Sequence, residues 1–264
     1  MKNFLLQLKR GLNSERLKHQ NTFMFWVVLI TPILLTTITF LIVYIDGDYH
    51  ANIPSRYHFT FNYTPYFHIY TFLQILFIVN VHYIEHKNHT WKNLYVIPVP
   101  VWTLFFSRYL FVYAVVAINV LLFYSCILLS EFLLGISRPE LGFQHGQFAM
   151  EAFLPSLKFF LASSAVTSIM FWVGHHFKSI LTSVVIGLLG YASGFVSFLL
   201  TNKQRYDGFP FAKYHPFNFG GLSFGSFGTG NHFLGMEQVY LGLGLAILIT
   251  VLHYQTSKRT EILA

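Results

Sequence analysis

The chain has 264 residues, 54% of them hydrophobic and 10% charged, whereas globular domains carry about 25% charged residues. So little charge leaves no soluble domain large enough to hold an enzyme. The 17 Lys+Arg exceed the 10 Asp+Glu, but they are scattered through an apolar chain, which argues against a nucleic-acid binder. A lone cysteine, Cys126, excludes an internal disulfide and argues against a Cys-based zinc site.

Residues 1–21 predict a basic amphipathic helix at a membrane interface. Phe4, Leu5, Leu8, Leu12 and Leu17 fall roughly on one side, flanked by Lys9, Arg10, Arg16 and Lys18. The segment lacks the apolar core and small-residue cleavage site of a signal peptide. Residues 22–264 then form a membrane domain. Thr22 to Tyr44 is uncharged and long enough to cross a hydrocarbon layer of ~30 Å, and Asp46-Gly47-Asp48 ends it. A polar loop is expected to about Pro65, and a second span from Tyr66 to Ile84 carries Gln74 and Asn80. The third span is Trp102 to Leu129, with Arg108 near its start and a polar loop from Glu131 to Glu151 after it. The fourth runs from Phe153 to Phe177, the fifth from Ile180 to Leu200 and the sixth from Val239 to Tyr254. Between the last two, Thr201 to Met236 is expected to be a long loop with the string FNFGGLSFGSFGTG, capping the spans against lipid headgroups.

The expected fold is therefore an all-α integral membrane protein with six spans, a cytoplasmic amphipathic N-terminal helix and a short helix between spans two and three. Lys and Arg near span ends favour the cytoplasm. Lys2, Lys9, Arg10, Arg16, Lys18, Lys87, Lys92, Arg108, Lys178, Lys258 and Arg259 fall on one side of this topology. Both termini are thus expected to be cytoplasmic. No span is expected to carry a deeply buried acid or base, which argues against a proton-coupled pump.

Ile84 to Pro100, IEHKNHTWKNLYVIPVP, leaves the membrane at Glu85 and returns through Pro98 and Pro100, which cannot continue a helix interior. A short membrane-parallel helix there, with Trp91, Leu94 and Tyr95 on its apolar side, suits docking; an ordinary interfacial loop with a Trp anchor fits equally. This stretch resembles the first cytoplasmic loop of the permease subunits of type-2 ABC exporters, particularly those of lantibiotic immunity. The resemblance rests on the basic amphipathic N-terminal helix, on an acid followed by Thr90-Trp91-Lys92, an apolar stretch and Pro98, and on Arg108 early in the third span. His89 stands where that family commonly has glycine, and Arg108 where it often has lysine. The resemblance implies that Glu85, Thr90, Trp91, Lys92 and Leu94 form a coupling helix seated on a separate cytoplasmic ABC ATPase. It further implies two ATPase copies, ATP and Mg bound there rather than on this chain, a second permease, identical or related, and a bacterial cytoplasmic membrane. The chain itself has no GxxxxGK[ST] phosphate loop; Gly174 to Ser179 ends in Lys178-Ser179 but lacks the second glycine.

Two other groups of residues bear on function. His82, His86 and His89, with His175 and His176, cluster at the same side of the membrane, and His253 lies nearby. Imidazole binds iron well, so a histidine-box di-iron oxidoreductase is the rival reading, and a non-transporting membrane scaffold a third. Histidines snorkelling at the interface are the simpler account. Gly187, Gly190 and Gly194 offer a small-residue face for close helix approach, within the subunit or against a second one.

Overall fold

The computed structural model describes residues 2–45, 55–87, 100–141, 143, 147–177, 179–203, 211–225 and 235–262. Every regular element among them is helical: α1 (Lys2–His19), α2 (Phe23–Ile45), α3 (Ser55–Lys87), α4 (Val101–Ser137), α5 (Gln147–Ala162), α6 (Ser164–His176), α7 (Ile180–Lys203), α8 (Phe211–Tyr214), α9 (Phe219–Gly225) and α10 (Met236–Ile262). Short 3-10 turns lie at Pro139–Leu141 and Pro216–Asn218. Among the described residues, five stretches are long and apolar enough to cross a membrane: Phe23–Ile45, Trp102–Ser137, Ala152–His176, Ile180–Ser197 and Met236–Ser257. The apolar part of α3, His68–Ile84, is shorter.

α3 nevertheless runs through the middle of the bundle. Ile75 and Ile78 are fully buried, as are Phe77, Val79 and Val81 beside them, and α2, α6, α7 and α9 pack around it. Its polar groups bond inward: Gln74 Nε2 donates to Thr167 Oγ1, and Tyr66 donates its hydroxyl to Asn119 Oδ1 at 3.1 Å. In hydrocarbon a polar group without a partner is costly, so such bonds explain how a helix rich in Gln, Thr, His and Tyr tolerates the centre.

The structure revises several expected boundaries. α3 begins at Ser55, where a polar loop to Pro65 was expected, and α4 continues through Glu131 to Ser137. The fourth span holds as Ala152–His176; one irregular residue, Ser163, divides α5 from α6, while Ser163 N still bonds to Phe159 O at 2.9 Å and Thr167 N to Ser163 O at 3.1 Å. The Thr201–Met236 stretch contains α8, the Pro216–Asn218 turn and α9, with Phe219 and Phe224 buried rather than set out as a loop. The expectation that no span buries a charge also fails: Lys158 on α5 and Glu131 on α4 are both buried. Both carry partners, the usual condition for an ion inside a membrane.

α1 docks along the first turns of α4 by a stripe of Leu8, Gly11, Leu12, Glu15 and His19, while Leu5, Leu6 and Leu17 stay exposed. The helical spacing of that stripe is i, i+3, i+4, i+7, but it contains a carboxylate and an imidazole. The apolar residues taken from the sequence as one face therefore divide between the bundle and the surroundings.

Candidate coupling end of the membrane domain

α1, the end of α3, the start of α4, the end of α6 and the later turns of α10 meet at one end of the bundle. Phe4 stacks on Trp102 with ring centres 4.3 Å apart, and His19 stacks on Phe111 at 5.1 Å. Between them α1 comes close to α4 at Gly11, where a Cβ would lie 2.7 Å from Ser107 Cβ. Only a glycine permits that approach.

Glu15 is buried in this contact. Lys18 Nζ donates to its Oε1 at 2.7 Å, and His19 Nε2 stands 3.7 Å from Oε2, an ion-pair distance rather than a hydrogen bond. Burial by itself raises the carboxyl pKa, but His19, Arg108 and Lys18 together outweigh it and hold the group down at about 2. Glu15 is therefore an ionised acid clamped between α1's own bases and the guanidinium of α4.

Beside Arg108 lies an aromatic and histidine cluster. His82 of α3 is buried, with Nδ1 3.0 Å from the Ile78 carbonyl. Its ring meets Phe171 edge-on at 4.5 Å and lies 6.2 Å from His175. Gly174 makes room for it, because a Cβ there would sit 2.9 Å from His82 Nδ1. His175 in turn is 4.7 Å from His253 of α10, which packs edge-on against Phe105 at 5.0 Å. Three of the sequence's histidines thus come together from three helices. His176 instead stacks on Trp172, His86 sits on the last turn of α3, half-buried, and His89 lies outside the described residues. Among the described residues no group of three or more His, Cys, Asp or Glu side chains is placed to hold a metal ion. His82 and His253 pack against phenylalanine rings.

Of the expected coupling residues, Thr90, Trp91, Lys92 and Leu94 lie outside the described residues, and of Glu85 only the backbone, in the last turn of α3, is described. The structure gives the two posts of that segment. α3 ends at Lys87, and α4 starts at Val101 after Pro100, whose carbonyl accepts from Thr103 N at 2.9 Å. Both posts are rooted in the Arg108–histidine cluster.

The glycine face of α7 is occupied within the chain. A Cβ at Gly187 would meet Ile75 of α3 and Met170 of α6, one at Gly190 would strike the Phe217 ring, and one at Gly194 would crowd Asn218 and His215. Glu15 and His19 are the contributors that sequence reasoning missed. The signal was present: an acid and a histidine spaced i, i+4 in an otherwise basic helix, in register with Leu8 and Leu12.

Residues 12–194, more than two thirds of the chain, match the family described as ABC-2 family transporter protein. No curated protein and no solved structure matches the chain. The matched region begins within α1, takes in the whole Arg108 cluster except His253, and ends in α7. With the match covering more than half of its length, the chain belongs to the ABC-2 family of transporter proteins.

Proposed function

We propose that this chain is the permease subunit of an ATP-driven transporter, with ATP and Mg bound on a separate cytoplasmic ABC ATPase, present in two copies. The membrane is crossed six times, α3 supplying the crossing that its short apolar stretch obscures. Both termini and the Lys87-to-Pro100 connection face the cytoplasm of a bacterial cell, and a second permease, identical or related, completes the path. The cargo is amphipathic or hydrophobic, an antimicrobial peptide or a lipid-like molecule, as in the permeases of lantibiotic immunity.

The observation that carries this reading is the convergence of five helices at the roots of the 88–99 segment. A push on that segment by an ATPase, through Glu85, Thr90, Trp91, Lys92 and Leu94, reaches α3 and α4 first, and α1, α6 and α10 through Glu15, Arg108, His82, His175 and His253. ATP then shifts the population between two arrangements by binding the complex more tightly in one of them.

The test is co-purification from the native membrane with Trp91→Ala and Lys92→Glu beside the wild type. The wild type is expected to bring down an ATPase and to accelerate its ATP hydrolysis. The variants should lower that acceleration by about tenfold, the loss of a central interface anchor, at unchanged expression. Recovery of no ATPase with the wild type, or variants that couple as well as it does, would falsify the proposal.

A further inference from the structure

Docking on α4 occupies one side of α1 and leaves the other open. Opposite the docked stripe run Leu6, Arg10, Asn13 and Leu17, again at helical spacing, with Leu5, Lys9 and Arg16 along their flank. All seven are exposed. The outward face is therefore not the one the sequence pattern predicts: Leu8 and Leu12 turn to α4, and leucines interleaved with bases remain outside.

The charge on this face has one sign. The single acid of α1, Glu15, is turned to the buried side, where Lys18 donates to it. Elsewhere in the chain Arg138 pairs with Glu140 and Lys213 with Glu237. Among the described residues no acid pairs with Lys9, Arg10 or Arg16. The depth of the face follows from its docking. Phe4 stacks on Trp102, where the apolar stretch of α4 begins, and His19 stacks on Phe111. α1 thus lies along the first turns of a membrane span, at the boundary between headgroups and hydrocarbon.

We infer that the outward face of α1 binds the headgroups of anionic phospholipids, with Leu5, Leu6 and Leu17 in the upper acyl layer and Lys9, Arg10 and Arg16 on the headgroup charge. Water alone would leave the leucines exposed as an apolar patch, and hydrocarbon alone would strand three bases. The boundary of a bilayer accommodates both, since long basic side chains reach outward from an apolar base. A zwitterionic headgroup carries its own cation beside its phosphate and offers no net counter-charge. An anionic headgroup supplies the charge that α1 lacks on this side. The binding needs neither cargo nor an ATPase.

The test uses the full chain in nanodiscs of phosphatidylcholine with a minority of phosphatidylglycerol, probed by either lipid bearing a diazirine near the top of one acyl chain. After illumination, the peptide containing Leu5 to Leu17 is expected to be labelled about fivefold more by the phosphatidylglycerol probe, the bias that one base near an anionic surface supplies. Labelling of α2, whose exposed Ile33, Leu34 and Ile38 have no charge beside them, should be equal from both probes. High salt should lower the α1 preference in the wild type. Lys9→Gln, Arg10→Gln and Arg16→Gln together should bring it to about one, while Lys213→Gln leaves it unchanged. Equal labelling of wild-type α1 by the two probes, or a preference that survives high salt and the triple substitution, would overturn the inference. So would cross-links in the native membrane showing the outward face of α1 covered by another protein.

Discussion

The two ends of the bundle are closed by opposite means. At the far end, the 211–218 segment lies on the glycine face of α7 through neutral groups. Asn218 Nδ2 donates to Ser197 Oγ at 3.1 Å and to Ala212 O at 3.2 Å, and His215 Nε2 lies 3.1 Å from Ser193 Oγ. Burial lowers the His215 pKa and favours the uncharged imidazole. At the α1 end ions are set among the stacked rings: Glu15 and Lys18 pair on one helix, and Glu15 interacts electrostatically with Arg108 on another. Packed neutral surfaces resist any displacement, because contact is lost within fractions of an ångström. Charges in a low dielectric keep interacting as they move, with energies that change smoothly and substantially with distance. The far end is thus built as a fixed seat, and the α1 end as a joint whose energy depends on where its helices stand.

The largest effect expected tests the seat. In α10, Gly242 faces backbone: a Cβ there would lie 2.6 Å from the Ala162 carbonyl oxygen and 3.0 Å from its Cα, whereas Gly244, two residues on, has nothing within 4 Å. Gly242→Leu should destabilise the purified protein by about 3 kcal/mol or more in thermal unfolding, since backbone cannot rotate aside as a side chain can. Gly244→Leu should leave the melting temperature unchanged. Equal tolerance at both positions would mean that α10 is not seated on the α5–α6 backbone at Ala162.

Next in size is a test of the joint. The carboxyl of Glu15 is lowered from 4.5 to about 2, so its contribution is fully present above pH 4.5 and is lost as the pH falls through about 2. At pH 7, Glu15→Gln should weaken the docking of α1 by about 2 kcal/mol, read as faster hydrogen exchange in residues 8–19. The gap between variant and wild type should close as the pH is lowered toward 2. A gap that persists at low pH would show that the amide changes packing rather than charge.

Much of this arrangement is written in the sequence, and the exceptions have physical causes. Phe23–Ile45 and Ile180–Ser197 are legible because an uninterrupted apolar run has one stable meaning in a bilayer. The extension of α4 through Glu131 is hidden because a buried acid with a partner reads, in one dimension, as the start of a loop. The irregularity at Ser163 is hidden because serine is common inside membrane helices, where its hydroxyl bonds back to a carbonyl, as Ser163 does to Phe160 O at 2.9 Å. Gly190 and Gly194 announce a close approach, but not that its partner is Phe217 and Asn218 from a stretch that looks like a loop. His82 and His175 are legible as neighbours at one membrane face. Their company of Phe171, Phe105 and His253 is a tertiary fact. Glu15 is hidden because basic amphipathic helices ordinarily lie on a membrane and do not bury an acid against a span.

Smaller effects mark the limits of the contrast. Asn119 donates to the Val28 carbonyl and accepts from Tyr66 midway between the two ends. Asn119→Leu should cost about 1 kcal/mol in the same unfolding measurement, the usual size of an interhelical hydrogen bond in a membrane. The weakest is expected from an ionic contact at the far end. Lys213 Nζ stands 2.6 Å from Glu237 Oε2, tying α8 to the first turn of α10, but both side chains are about half exposed. Its geometry is as close as that of Lys18 on Glu15, so distance alone would rank the two pairs together. Solvent separates them: water and salt screen an exposed pair, and two long side chains lose freedom to form it. Lys213→Ala should therefore shift the melting temperature by less than about 1 °C at physiological salt. A larger drop would mean that the far end, too, relies on charge, and the distinction between seat and joint would fail.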